Sequence, residues 1–270
     1  MPNKPSVSPQ SVSTSSVNFT VEPEVWWMMT SLEIEGIQAL YQDMLGETLF
    51  RGARSVKGWV PYMFPNAGPL LDGEKEKSRL DLPQHGTGRR NPWELTELLQ
   101  DEWIIKQRFD FGKSEWYPYE WSVINTTEAI RSWVNIIHDI HNHGVKSMPI
   151  STGLHPYFRV PESDKSAIKW EFEWGKKVAE TVEEWSDDWT VTFENPHPEK
   201  PFSVIIPGLG RLELTASKDY KKFWVWSLKD KDFVCIEPVM WDEWAIVNSP
   251  VIIKPGHTNR NSLKIELFQD

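Results

Sequence analysis

Two short stretches hold residues that could move protons. The first is MPISTGLHPYF, residues 148–158, where His155 stands between Gly153-Leu154 and Pro156 with Tyr157 and Phe158 behind it. A glycine before and a proline after restrict the backbone, and an imidazole both gives and takes protons near neutrality. Such a stiff Gly-Leu turn suits a general acid facing a flat ligand, and equally a histidine that only packs on its aromatic neighbours. The second stretch is DFVCIEPVMW, residues 232–241, where Glu237 interrupts an apolar run. A carboxylate is unfavourable to bury without a partner or a function, and desolvation raises its pKa toward a working range. A glutamate at a strand end pointing into solvent would read the same way. Proton-transfer sites need both an acid and a base, so His155 and Glu237 form the first candidate pair.

Two loops rich in glycine and proline add polar groups. SVKGWVPYMFPNAGPL, residues 55–70, presents Lys57 and Asn66, and its prolines exclude a regular helix. LPQHGTGRRNPWEL, residues 82–95, presents His85, Arg89 and Arg90 ahead of Trp93. Donors of several kinds on such loops suit a ligand with many hydroxyls, and plain solvated turns are the alternative. His138, His141 and His143 in HDIHNHG form a His-rich tract of the sort that can bind metal. The preceding WVNII favours a strand, on which His138 and His141 face opposite sides and share no ion. The lone cysteine, Cys235, excludes an internal disulfide and a multi-Cys metal site, and its apolar setting predicts a buried, inert thiol. No metal site is expected.

The elements that must position these residues are mostly short strands. NFTVEP, residues 103–109, 117–124 and 132–140, FSVIIP, RLELTA, KFWVWSL, FVCIEPV and SLKIELF are each rich in β-branched, aromatic or alternating residues. In SLKIELF, Leu263, Ile265 and Leu267 share one face. Residues 170–193 read as mostly strand. The run from Ser31 to Phe50 is ambiguous: Ile34, Ile37, Leu40, Tyr41, Met44 and Leu45 sit at helical spacing, while DMLGE resembles a turn between extended pieces. So many short strands predict an all-β chain, a large antiparallel β-sandwich or barrel with few short helices. Residues 1–17, rich in serine and proline, read as a flexible tail. Residues 18–270 read as a single domain.

Composition narrows the function. Hydrophobic content of 39% supports a sizeable core in 270 residues, and sixteen tryptophans tilt slightly toward a sugar ligand, whose C–H faces stack on flat rings. A net charge of −10 without a basic run argues against nucleic acid or anionic membrane as partner. No stretch approaches the roughly 20 apolar residues of a membrane span, and no signal pattern opens the chain. A cytoplasmic protein is expected.

Taken in order, SVKG-x-x-P-x-x-FP-x-x-G, LPQHG-x-x-R with PWE, YPYEW, GLHPYFRV and FVCIEP together resemble the aldose 1-epimerase (galactose mutarotase-like) family, in particular its bacterial branch that includes hexose-6-phosphate 1-epimerases. The resemblance runs from about Ser55 to the C-terminus. It implies a mutarotase-like supersandwich with the sugar in a cleft on one sheet, and no metal or organic cofactor. His155 would protonate the ring oxygen O5, and Glu237 would take the proton of the O1 hydroxyl. His85 would hydrogen-bond the sugar near its reacting end, with Arg89, Asn66 and Lys57 as further substrate-binding residues. The chain departs from the family pattern where HGTGR replaces the common HGFAR and KGWVP the common RGGIP. A substrate-binding Asp of the family has no clear counterpart, Asp187 and Asp188 being the available residues. Three readings follow: a mutarotase acting on a free hexose or on a hexose 6-phosphate, a non-catalytic carbohydrate-binding protein on the same sandwich, and a structural interaction module. The partner is expected to be a small-molecule sugar or sugar phosphate.

Overall fold

The computed structural model describes residues 9–22, 28–42, 57–78, 80–89, 93–99, 104–111, 116–130, 132–171, 190–195 and 197–269. In chain order the strands are β1 (Gln10–Ser13), β2 (Val17–Glu22), β3 (Met28–Ile34), β4 (Ile37–Gln38), β5 (Tyr62–Met63), β6 (Glu94–Leu99), β7 (Ile104–Phe111), β8 (Trp121–Ile130), β9 (Trp133–Asn142) and β10 (Met148–Ile150). They continue as β11 (Gly153–Leu154), β12 (Tyr157–Arg159), β13 (Lys169–Glu171), β14 (Thr190–Glu194), β15 (Phe202–Ile206), β16 (Gly210–Ala216), β17 (Lys222–Trp226), β18 (Phe233–Val239), β19 (Val251–Ile253) and β20 (Thr258–Phe268). Short helices, α1 (Asp72–Ser78) and α2 (Ala245–Asn248), and a 3-10 turn over Glu162–Ala167 complete the described elements. No helix among the described residues is long and apolar enough to cross a membrane.

The strands form a β-sandwich. An eight-stranded sheet runs β13-β15-β16-β20-β9-β8-β7-β6, and a six-stranded sheet runs β14-β17-β18-β11-β5 with β12 also on β18. Alternation along the outer sheet is clean: every second residue of β9, from Val134 to Asn142, is buried, and Leu263, Ile265 and Leu267 of β20 are buried beside it. These side chains join Val225, Val234, Ile236 and Leu154 of the six-stranded sheet in one hydrophobic cluster. β18 differs, since all seven of its residues are buried. Its even-numbered Val234 and Ile236 enter that cluster, while Phe233 and Cys235 join a small group with Tyr157. A strand covered on both faces is where a buried polar side chain becomes informative.

One expectation needs correction, and one ambiguity is resolved. The predicted flexible tail is ordered from residue 10: β1 pairs with β2, and Val12 and Val17 are buried. The reason is local chemistry that composition hides. Thr14 Oγ1 accepts the N–H groups of Ser16 (3.1 Å) and Val17 (2.7 Å), closing a turn, and Ser11 bonds Thr20 across the strands. Residues 1–8 lie outside the described residues. The helical spacing from Ile34 to Leu40 is not a helix but the end of β3, a turn and β4. Glu35 and Gly36 both have positive φ (51° and 79°), the signature of a tight two-residue hairpin turn. Met44, Leu45 and the DMLGE segment lie outside the described residues.

The strand reading of the His-rich tract holds. His138 faces the core and His141 the other side, where its Nδ1 meets Thr258 Oγ1 at 2.7 Å.

Candidate active site

His155 and Glu237 meet because of strand register. β11 and β12 both pair with β18, placing Gly153 opposite Val239 and Tyr157 opposite Cys235. His155 lies midway between its two landmarks and Glu237 midway between its own, so the two fall opposite each other. His155 Nε2 is 3.4 Å from Glu237 Oε1, with the residues 5% and 2% exposed. On the far side of β18, β17 sets Trp224 opposite Glu237 and Trp226 opposite Cys235. One row across the sheet thus reads His155, Glu237, Trp224, and the next Tyr157, Cys235, Trp226. Alternate residues share a face, so both rows lie on the face turned away from the main core.

The rows hold the imidazole by its rings. Tyr157 stacks on His155 at 4.6 Å and 8°, and Trp226 meets it edge-on at 5.7 Å and 89°. The backbone N–H of His155 donates to the Pro61 carbonyl (3.0 Å), anchoring the residue from the β5 side. Gly153, expected in a turn, is instead part of β11 and is required by space. A Cβ there would lie 2.6 Å from Met63 Cε and 2.7 Å from Val239 Cγ1. A side chain at this position would force Met63 and Val239 to shift.

His85 comes from a different loop. Both His85 and Gly86 have positive φ (60° and 66°), and a Cβ on Gly86 would sit 2.0 Å from the Phe64 carbonyl oxygen. This left-handed pair presses the loop against Phe64 and turns the His85 ring to 5.5 Å from that of His155, edge to face. Gly68 N–H donates to His85 Nδ1 (3.0 Å), while His85 N–H donates to the Gly68 carbonyl (2.9 Å). An Nδ1 that accepts leaves the proton of the neutral ring on Nε2, making His85 a donor. Asn66 supports the same loop: its Nδ2 donates to the carbonyls of Gly68 (2.9 Å) and Pro83 (3.4 Å), and its buried Oδ1 has no partner among the described residues.

Electrostatics set the character of the pair. Burial, reinforced by the nearby Arg89 guanidinium, pushes the His155 imidazole down to about 3. Burial likewise pushes the Glu237 carboxyl well above the usual carboxylate range, with Arg89 partly opposing. Both groups therefore resist charge, and between them they favour one shared proton.

Of the residues singled out from the sequence, His155, Glu237, His85, Arg89 and Asn66 come together. No described contact ties Lys57 to them. It is partly exposed, and it lies four residues before Pro61 on the segment that runs past Trp59, whose carbonyl accepts from Tyr157 N–H, and Pro61, whose carbonyl accepts from His155 N–H. Trp59 fills space: it is 2% exposed, with φ of 68°. Arg90, Asp187 and Asp188 lie outside the described residues. Sequence reasoning placed Tyr157 behind His155 but missed Trp224 and Trp226 as walls of the site; the alternation in KFWVWSL was the available signal, but only the register with β18 says what it faces. One ligand atom each of His155, Cys235 and Glu237 lies within 4.8 Å of the others. Linear spacing could not show this, because the cluster is made across strands.

Comparison with known proteins supports the same architecture. The model of the aldose 1-epimerase family matches residues 24–266. Among solved structures, the Slr1438 protein from Synechocystis sp. PCC 6803 superposes with a TM-score of 0.83 at 21% identity, over 98% of this chain and 96% of that one. A galactose mutarotase-like protein from Clostridium acetobutylicum gives 0.75 at 15% identity, over 98% and 99%. A GalM/aldose epimerase homologue from C. elegans gives 0.70 at 14% identity, over 98% and 99%. At these identities the likeness is one of fold. No curated protein matches the sequence.

Proposed function

The chain belongs to the aldose 1-epimerase family, and from that premise we propose that it interconverts the α and β anomers of a free hexose, with His155 as acid and Glu237 as base. The observation that carries this reading is the 3.4 Å separation of His155 Nε2 and Glu237 Oε1. In a cyclic sugar the ring oxygen O5 and the hydroxyl O1 are bonded to the same carbon. Two groups that serve them must converge on nearly one point, and these do.

The proton steps balance within the pair. From the charged form of the pair, with the shared proton on the imidazole, His155 gives that proton to O5 as the C1–O5 bond breaks, and Glu237 takes the proton of O1, which becomes the aldehyde oxygen. Afterwards His155 is neutral and Glu237 protonated, the uncharged arrangement that burial of both groups favours. Rotation about C1–C2 and reversal of both transfers close the ring to the other anomer. His85, with its proton on Nε2, donates to the sugar near the reacting carbon, and Arg89 steadies the carboxylate while it is charged. Asn66 offers its Oδ1 as an acceptor, its amide nitrogen being engaged in the loop. Acid–base assistance contributes roughly 10²–10⁴-fold in rate.

A free hexose is favoured over a hexose phosphate by where the cations stand. Arg89, a buried cation, acts on His155 and Glu237 and so serves the reacting end of the sugar. Polarimetry on freshly dissolved α-D-glucose, galactose and glucose 6-phosphate tests the reading. Acceleration of the free sugars above buffer, lost in His155→Ala and Glu237→Gln, is expected. Faster equilibration of glucose 6-phosphate would assign the phosphate sugar instead. No acceleration of any sugar, with binding seen by tryptophan fluorescence, would make the protein a non-catalytic carbohydrate binder.

A further inference from the structure

Cys235 has no part in the sugar chemistry above, yet it stands beside the reacting pair. It is the single cysteine of the chain, is fully buried, and lies two positions before Glu237 on the same face of β18. Its Sγ, a nitrogen of His155 and a carboxylate oxygen of Glu237 all lie within 4.8 Å of one another. A thiol, an imidazole and a carboxylate are the donor mixture that zinc and its thiophilic neighbours take, and three protein ligands with an open fourth position is the number of a solvent-accessible zinc site. We propose that His155, Cys235 and Glu237 form a binding site for one thiophilic divalent cation of the zinc class, whose occupancy shuts the sugar site by engaging its acid and its base.

The charges around the cluster say what kind of site this is. Binding must displace the Cys235 proton, which burial holds on the sulfur. A divalent ion then meets one thiolate and one carboxylate, so the filled cluster carries no net charge. Two cations oppose it. Arg89 acts on His155 and Glu237, and Lys165, which is held by Glu162 and donates to the Leu228 carbonyl (2.7 Å), acts on Cys235. The ion is therefore an inhibitor that comes and goes rather than a resident one.

A single cysteine makes the test specific. Titrating the protein with cadmium chloride should raise a thiolate-to-metal charge-transfer band in the ultraviolet that saturates at one equivalent, vanishes in Cys235→Ser and in Cys235→Ala, and is suppressed by excess sugar. Zinc chloride should slow mutarotation, and Cys235→Ser should raise the half-inhibiting concentration by about tenfold or more while leaving the metal-free rate unchanged. Absence of the band in the wild-type protein, or equal inhibition of wild type and Cys235→Ser by zinc, would overturn the proposal. The band is read without turnover, so it decides the metal site whether or not the protein proves to be a mutarotase.

Discussion

Gly68 and His85 bond each other twice: the glycine N–H donates to His85 Nδ1 at 3.0 Å, and the histidine N–H donates back to the glycine carbonyl at 2.9 Å. The first bond fixes which ring nitrogen carries the proton and aims it outward. His85→Asn can still accept the Gly68 N–H through its Oδ1 but offers a shorter, differently placed donor. This variant should fold with a melting temperature near that of wild type and lose about tenfold or more in kcat/KM, given the 10²–10³-fold typical of a lost charge-stabilising donor. Equal kcat/KM in the two proteins would remove His85 from the sugar site.

The pH dependence follows from the shared proton. The working pair carries one proton, taking up a second only as pH falls toward about 3, the value to which burial lowers His155. It loses its proton only above the raised range of Glu237. After subtraction of the buffer reaction, the rate should therefore not fall as pH is lowered from 7 to 5, the range in which an exposed histidine would take up a proton. A loss of rate as pH is lowered from 7 to 5 would show that the pair takes up its second proton as an exposed imidazole does, and that the acid is not a buried His155. Glu237→Gln should reduce the rate by roughly 10²–10⁴-fold at every pH.

His138 predicts a pH effect on stability rather than on rate. Its Nε2 accepts from Asn125 Nδ2 (3.2 Å), while Thr127 donates to Asn125 Oδ1 (3.0 Å), so the ring is built in as a neutral acceptor. It stacks on Tyr62 at 3.8 Å, and burial lowers it to about 3. The unfolded chain titrates near the ordinary value of 6.5, so its unfolded form binds a proton that the native form refuses. The resulting stability is complete above about pH 6.5 and is lost as pH falls toward 3, amounting to about 3 kcal/mol by pH 4. Urea unfolding at pH 7 and pH 4 should show this loss, and His138→Gln should shrink it. An unchanged pH slope in the variant would assign the acid sensitivity elsewhere.

Gly153→Ala tests whether space near the site is as tight as it looks. The new methyl group would press on Met63 and Val239, which should destabilise the protein by about 1–3 kcal/mol. It should also lower kcat, because His155 is two residues further along. Val239→Ala added to this variant should recover part of the melting temperature. Full stability in the single variant would mean that the neighbours yield freely.

Much of this fold could be read in one dimension. Alternation in SLKIELF and in the segment around WVNII identified strands and their buried faces, because a half-covered strand writes its orientation into every second residue. The flexible-tail reading failed because Thr14 closes a turn with its side chain, a chemistry that composition does not register. Within the site, His155 and Glu237 were legible as residue types out of place: a histidine between glycine and proline, and a glutamate in an apolar run. Trp224 and Cys235 were not legible, since nothing about either residue is unusual until β17 and β12 are laid against β18.

The placement of the acid and base in one row across a sheet has an architectural consequence. Neighbouring strands keep a spacing of about 4.8 Å whatever their side chains, and His155 stands in the two-residue step between β11 and β12, each laddered to β18, so the proposed pair takes its separation from the ladder on either side of that step. The loops at the rim, including that of His85 and Gly86, then shape the chamber around a fixed reaction centre. Grafting rim loops from other members of the fold should alter which sugar enters while leaving the proton-transfer geometry intact, which makes the rim the natural place to re-engineer selectivity.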